Sequence, residues 1–300
     1  MAARRLRLAV ASGRTFVTCR DHAPPRSWRF GLPRELAVLL TAYNAEKTIR
    51  RALDSLRRNS EPFDLLIVDD CSRRPLAEFL GPLGDSVEIV RPDENLGVAG
   101  AKNFGLKRLL AEPYQFVAMM DADDISHPER LAKQVAFLKA HPDVALVGAW
   151  ARFFDENSHE VTFQFRPPCE SQGIRDALFF NSCIMHPTWM VRTQALRDSG
   201  LYSQAYPAAE DYELLRRMSK TFALANLPEF LLEYSDSQSG ISVKNRRRQL
   251  FDRLRIQGKY FDPWQAKAWL GVARTLVLFA LPRRVLTAYR TEKNLRVQPS

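Results

Sequence analysis

Cysteine is scarce in this sequence and follows no pattern: Cys19, Cys71, Cys169 and Cys183 are the four in 300 residues, and no two form a C-x-x-C pair. A disulfide framework or a structural zinc centre needs closer spacing, so the chain reads as one for a reduced compartment. Phosphate-cradling glycine motifs are missing too. Neither G-x-G-x-x-G nor G-x-x-x-x-G-K-[ST] occurs, so backbone amides are not expected to form the main phosphate site. Long apolar runs are also absent. The longest, "WLGVARTLVLFAL" at 269–281, contains Arg274 and is closed by Pro282, Arg283 and Arg284; spanning a bilayer takes roughly 20 residues. That stretch suits either a helix lying in a membrane interface or a buried packing helix. The arginines near the start are followed by no uninterrupted apolar core, which argues against a signal peptide.

Acidic residues are in deficit, and unevenly so. The net charge is +10, of which residues 1–34 supply +7 and 241–300 supply +11, leaving −8 on 35–240. An acidic body between basic flanks suggests flanks that meet an anionic surface. No zinc spacing, RNA-binding aromatic signature or recognition helix accompanies the charge, so the expected surface is a membrane and not nucleic acid. The expected organisation is a basic, partly disordered extension (1–34), an α/β domain (35–240) and a basic helical, amphipathic tail (241–300). The protein is expected to be cytoplasmic and peripheral at the membrane face.

Within the body, apolar runs alternate with helical patterns. "LAVLLTAYN" (36–44) reads as a buried strand, and "FDLLIVDD" (63–70), the short "SVEIV" (86–90) and "YQFVAMMD" (114–121) as further strands. Between them, "AEKTIRRALDSLRR" spaces Ile49, Leu53 and Leu56 helically, and "GVAGAKNFGLKRLL" (97–110) reads as a helix entered through a glycine turn. "HPERLAKQVAFLKA" (127–140) reads as a helix with Pro128 in its first turn. Such an order predicts a parallel or mixed sheet covered on both faces, with ligands beyond the carboxyl ends of the strands. Three strand ends carry Asn44, then Asp69 and Asp70, then Asp121 and Asp123. Without a glycine cradle, a nucleotide there needs a cation for its diphosphate. Carboxylates at alternate positions, Asp121 and Asp123, can hold Mn2+ or Mg2+ while leaving sites for phosphate oxygens. Asp124 is a third ligand, a supporting partner or a helix cap; the cap is favoured.

"TAYNAEKTIRRALDSL", "LLIVDDCS", "ENLGVAGAKNFGL", "MDADDISHPERLAKQVAFL", "MHPTWMVR" and "AEDYELLRRM" occur in order over roughly 36–240. In this the sequence resembles family 2 glycosyltransferases, inverting enzymes of the GT-A fold that use nucleotide-sugar donors. The resemblance implies that Thr41, Ala42 and Tyr43 line the base pocket, with Asp69 or Asp70 accepting a hydrogen bond from the base. It implies that Asn95, Gly97 and Lys102 face ribose and diphosphate. Asp121 would hold ribose or metal, and Asp123 would be the metal ligand. Asp211 would be the catalytic base, with Glu210 beside it. An adjacent acid and partial desolvation both raise a carboxyl pKa towards a base's working range. Acids at a helix start are also favoured by the helix dipole, and the two roles are compatible.

Some features depart from the family pattern or stay open. Cys71 stands where the family usually has a glycine that tolerates unusual backbone angles, and Lys102 stands where arginine is more usual. The Q-x-x-R-W signature of processive synthases is missing, so one sugar per encounter is expected. His186 is a structural hydrogen-bonder or an acceptor-side residue; Trp189 is core or an acceptor platform. The implied donor is a nucleotide-diphosphate sugar, a UDP-sugar by preference, and the acceptor a cell-envelope or lipid-linked glycan. A nucleotidyltransferase would be expected to carry a glycine- and arginine-rich loop after the first strand, which "TAYNAEKT" is not. A non-catalytic membrane-associated nucleotide-sugar-binding module is the other alternative.

Overall fold

The computed structural model describes residues 34–156, 158, 160–235 and 245–281; the expectations made for residues 1–33, and for Pro282, Arg283 and Arg284, lie outside them. In chain order the elements are β1 (Leu36–Ala42), α1 (Ile49–Arg57), β2 (Asp64–Asp69), α2 (Leu76–Leu80), β3 (Val87–Val90), α3 (Gly97–Leu109), β4 (Phe116–Asp121) and β5 (Ile125–Ser126). There follow α4 (Arg130–Ala140), β6 (Val144–Phe154), β7 (Val161–Phe165), α5 (Ser171–Ala177), a 3-10 turn (His186–Thr188), β8 (Met190–Arg192), α6 (Thr193–Ser199), α7 (Glu210–Met218) and β9 (Ala223–Ser235). Two helices, α8 (Arg246–Lys259) and α9 (Ala266–Ala280), complete the described chain.

β1, β2 and β4 are apolar on both faces because helices cover both faces of their sheet. Leu36, Val38 and Leu40 of β1 point into one buried cluster with Ile49 and Leu53 of α1 and Leu131 of α4. Ala37 and Leu39 point the other way, towards Leu106 of α3 and Leu214 of α7. Each such side chain, fully buried, contributes about 1.5–3 kcal/mol. The strands run β3-β2-β1-β4-β8-β6-β9-β5, with β7 paired to β6. β1 is parallel to both neighbours, with Ala42 opposite Asp69 and Thr41 opposite Asp121. That register brings the polar ends of β1, β2 and β4 to one edge.

Two local expectations change. Helix α4 begins at Arg130, two residues beyond Pro128, because His127 N–H bonds Leu231 O (3.0 Å) and Ile125–Ser126 pair with β9. The chain around Pro128 is therefore held by the sheet before the helix starts. Asp124 is not its cap: it is fully buried and accepts the Ser235 N–H at 3.2 Å, 111 residues away.

The tail is helical and packs on the body. Gln257 of α8 donates to Phe179 O at 2.9 Å. On α9, a Cβ added at Gly271 would sit 2.1 Å from that same carbonyl, so only glycine allows the approach. Ala268, Gly271 and Thr275 face inward, while Trp269, Leu270, Leu276, Val277 and Phe279 stay exposed. The 269–281 stretch thus has one packed face and one apolar face in solvent. No helix among the described residues is long and apolar enough to cross a membrane.

Candidate active site

One side of the candidate cleft is built at the ends of β1 and β2, where acids and amides are tied to backbone. Asn44, in the left-handed region (φ 52°), accepts the Arg73 N–H at 2.8 Å and donates its own N–H to Ser72 Oγ at 2.9 Å. Asp69 takes the Ser72 N–H (2.9 Å), the Leu76 N–H (3.0 Å) and Arg91 Nη1 (2.6 Å). Asp70 accepts the Leu96 N–H at 2.8 Å, and Asn95 donates to Asp70 O at 2.8 Å. Burial pushes the Asp70 carboxyl up, and the N–H groups of Leu96 and Gly97 pull it part of the way back. Gly97 enters α3 at φ 69°, a geometry costly for a side chain. Cys71 sits at φ 61°, in the same left-handed region, and its Sγ lies 3.4 Å from Pro92 O. Together these bonds set a rim along which Thr41, Ala42 and the half-exposed Tyr43 lie.

A second group gathers past the end of β4. Burial pushes the Asp121 carboxyl up to about 6; Lys102 opposes this, Asp123 and Glu210 add to it, and Arg130 opposes. Asp123 is exposed beside it, and Arg51 donates to Asp123 O at 3.0 Å. Burial holds Asp124 well above the usual carboxylate range, and Asp123 and Asp121 add to that; the Ser235 N–H and Arg130 offset part of it. Arg130 is fully buried and donates to Pro187 O (2.6 Å) and Met119 O (3.1 Å). His186 Nε2 lies 2.9 Å from the Tyr202 hydroxyl, and His186 Nδ1 lies 4.0 Å from Asp121 Oδ1. Burial, then Lys102, keeps that imidazole well below its usual pKa and hence neutral. Trp189 is core: it is fully buried, and its Nε1 donates to Ile184 O at 3.1 Å.

Helix α7 supplies the third group. Lys102 is buried and its ammonium bonds Glu210 Oε1 at 3.0 Å, so it meets the cleft through Glu210. Burial pulls Lys102 down, but Glu210, Asp121 and Asp211 together outweigh it and leave it above its ordinary value. Asp211 accepts the Tyr212 N–H at 2.7 Å. Burial and then Glu210 push its carboxyl to about 6, against the pull of Lys102, the Tyr212 N–H and Arg253. Lys102 therefore acts on both Asp121 and Asp211, and links the β4 end to the start of α7.

No three His, Cys, Asp or Glu side chains stand close enough to hold a metal by themselves among the described residues. The donor set still fits a divalent cation completed by phosphate oxygens. Asp121 and Asp123 offer hard oxygens, while the Asp124 Oδ2 and His186 Nδ1 atoms nearby are buried without a hydrogen-bond partner. Sequence patterns did not mark Arg91, Arg130, Tyr202 or Arg253. Arg130 carries the one usable signal, a cation six residues after Asp124 at the start of an apolar helix.

Residues 37–200 match the model described as glycosyl transferase family 2. The amylovoran biosynthesis glycosyltransferase AmsE of Erwinia amylovora is 31% identical over 228 residues, covering 71% of this chain and 79% of that one. Three curated relatives, AmsE included, are spanned over 64%, 70% and 79% of their lengths. Among solved structures, Staphylococcus aureus TarS 1–349 in complex with UDP-GlcNAc superposes with TM-score 0.60 at 19% identity, over 81% of this chain and 71% of that one. The mannosyltransferase PcManGT of Pyrobaculum calidifontis, in complex with GDP-Man and Mn2+, gives 0.59 at 17% identity, over 89% and 81%. At those identities the likeness carries the fold, and the fold is the GT-A type.

Proposed function

The chain belongs to glycosyl transferase family 2, and on that premise we propose that it moves one sugar from a nucleotide-diphosphate sugar, with inversion, to a hydroxyl of a cell-envelope or lipid-linked glycan. The observation that carries this proposal is Asp211. It stands in the first turn of α7, its carboxyl is pushed by burial and Glu210 to about 6, and Lys102 lies between it and Asp121 at the β4 end. A carboxyl in that range can take the acceptor's proton near neutral pH as its oxygen attacks the anomeric carbon. The nucleotide would lie along Thr41, Ala42 and Tyr43, on the rim held by Asn44, Asp69, Asp70, Asn95 and Gly97. A UDP-sugar is the first donor to test: the TarS neighbour holds UDP-GlcNAc, although the mannosyltransferase neighbour holds GDP-Man.

Asp121 and Asp123 would hold a Mn2+ or Mg2+ ion. When bound, such an ion neutralises the diphosphate and stabilises its departure as a Lewis acid. Lys102 and Glu210 keep the site's charges in register, and neutral His186 closes the wall behind Asp121. Single-sugar transfer agrees with the missing Q-x-x-R-W signature. The apolar outer face of α9, with Lys267 and Arg274 on the same helix, supports peripheral attachment to an anionic membrane. Turnover of a panel of UDP-, GDP- and dTDP-sugars with and without Mn2+, by wild type and Asp123→Ala, tests the reading. Metal-dependent turnover lost in the variant is expected; equal turnover in both would remove the metal role.

A further inference from the structure

The start of α7, where Glu210 and Asp211 stand, is held by the tail. Ala209, the residue before the helix, has no polar side chain to cap it. Helix α8 holds the approach instead: Asp252 Oδ2 accepts the Ala208 N–H at 3.1 Å, and Arg255 Nη1 donates to Ala205 O at 2.7 Å. Arg255 also pairs with Asp252 Oδ1 at 3.2 Å, and its guanidinium carbon lies 4.8 Å from the centre of the Tyr206 ring. A second grip follows along the helix. Lys259 Nζ (2.8 Å) and the Tyr260 hydroxyl (2.7 Å) both donate to Oε1 of the fully buried Glu213, and Arg216 donates to Tyr260 O at 3.1 Å. From α3, Lys102 donates to Glu210 Oε1 at 3.0 Å. Asp211 therefore lies between a fixed point three residues before it and another two residues after it.

Helix α8 carries six Lys and Arg residues and one acid, and the acid is the charged residue that it buries. A carboxylate withdrawn from water is costly unless its partners are fixed, so the places of Asp252 and of the 205–208 segment depend on each other. The remaining side-chain bonds of α8 among the described residues go to Phe179 O and to the end of α9, not to the rim at the ends of β1 and β2. Resting on the reading of Asp211 as the base, we infer that Asp252, supported by Arg255, is a positioning residue for the transfer. It sets where α7 begins, and so where the Asp211 carboxylate meets the acceptor hydroxyl. A base has to sit about 2.6–3.2 Å from the atom whose proton it takes. A displacement of about 1 Å can cost on the order of 10²-fold in rate. The tail then serves the chemical step itself, besides carrying the exposed apolar face of α9.

The test compares full-chain variants on the UDP-, GDP- or dTDP-sugar that wild type turns over, with binding of the matching nucleotide diphosphate and Mn2+ measured beside it. Asp252→Ala should lower kcat by roughly 10–100-fold while donor KM and diphosphate affinity stay level. Asp252→Asn keeps an oxygen for the Ala208 N–H and should recover most of that loss. Arg255→Ala, at a side chain 42% exposed, should fold as wild type does and lower kcat by a smaller factor. Arg246→Gln breaks bonds to Leu278 O and Leu281 O inside the tail; it should lower the thermal midpoint and leave kcat level. Unchanged kcat in Asp252→Ala, or in Arg255→Ala should the former not fold, overturns the inference. So does a parallel fall in diphosphate affinity, or an equal fall of kcat in Arg246→Gln, since either would mean general loosening. Asp211→Asn separates the two readings: if it keeps wild-type turnover the base assignment fails, and if it alone loses turnover only the positioning role fails.

Discussion

The two halves of the candidate cleft treat their carboxylates in opposite ways. At the ends of β1 and β2, Asp69 is saturated by fixed donors, two backbone N–H groups and Arg91, and the Leu96 N–H offsets part of what burial does to Asp70. At the end of β4 and the start of α7, Asp121, Asp124 and Asp211 are held up by burial and by neighbouring acids, Glu210 and Asp123 among them, with few donors to calm them. Satisfied acids make a rigid shape; under-satisfied acids keep charge available for a ligand. The first half is suited to recognition and the second to chemistry, and variants that exchange the two conditions test that division.

The largest effect is expected at the bridge between the halves. Lys102→Met leaves Glu210 buried without its cation, and should cost roughly 3–5 kcal/mol in denaturant unfolding; a loss under 1 kcal/mol would mean that the pair is not buried as described. Next comes the α9 outer face. Trp269→Ser with Leu276→Ser removes two exposed apolar side chains, and binding to anionic vesicles should fall about tenfold or more. Turnover of a water-soluble acceptor should not change.

Smaller shifts are expected in pH dependence. Asp211 must be ionised to accept a proton, so kcat/KM should rise with pH and level off above about 6. Glu210→Gln removes a like charge and should move that limb to lower pH; Arg253→Gln removes an opposing one and should move it higher. The same upward shifts act on stability. A carboxyl whose folded pKa lies above its free value contributes stability that is complete below roughly pH 4 and is lost as pH rises through about 6. The smallest expected effect is at Cys71, where relieving the left-handed strain with Cys71→Gly should raise stability by at most about 1 kcal/mol in thermal unfolding.

How far the fold was legible follows from the range of the interactions. Apolar runs ending in carboxylates are local, so β1, β2 and β4 and their aspartates could be read from sequence, as could the GT-A fold and the family through the joint motifs. The left-handed geometry at Cys71 was legible in the same way, through the glycine it replaces. Partners distant in sequence were not. Asp124 meets Ser235 across 111 residues and Lys102 meets Glu210 across 108, so the local pattern favours a cap for Asp124 and gives no sign of the partner of Lys102. Pro128 misled for a related reason, since β9 captures the segment that local propensity assigns to α4. Nothing in the spacing of the tail's arginines indicates that the charge of Arg253 reaches Asp211.

The most direct test of this division is the kcat/KM profile of Asp211→Asn beside wild type, on whichever nucleotide sugar proves to be the donor and with donor binding measured in parallel. An isosteric amide keeps the shape and removes the base. Turnover should fall by about 10²–10⁴-fold with the limb near pH 6 abolished and donor affinity unchanged. Near-wild-type turnover with the limb still in place would contradict the account.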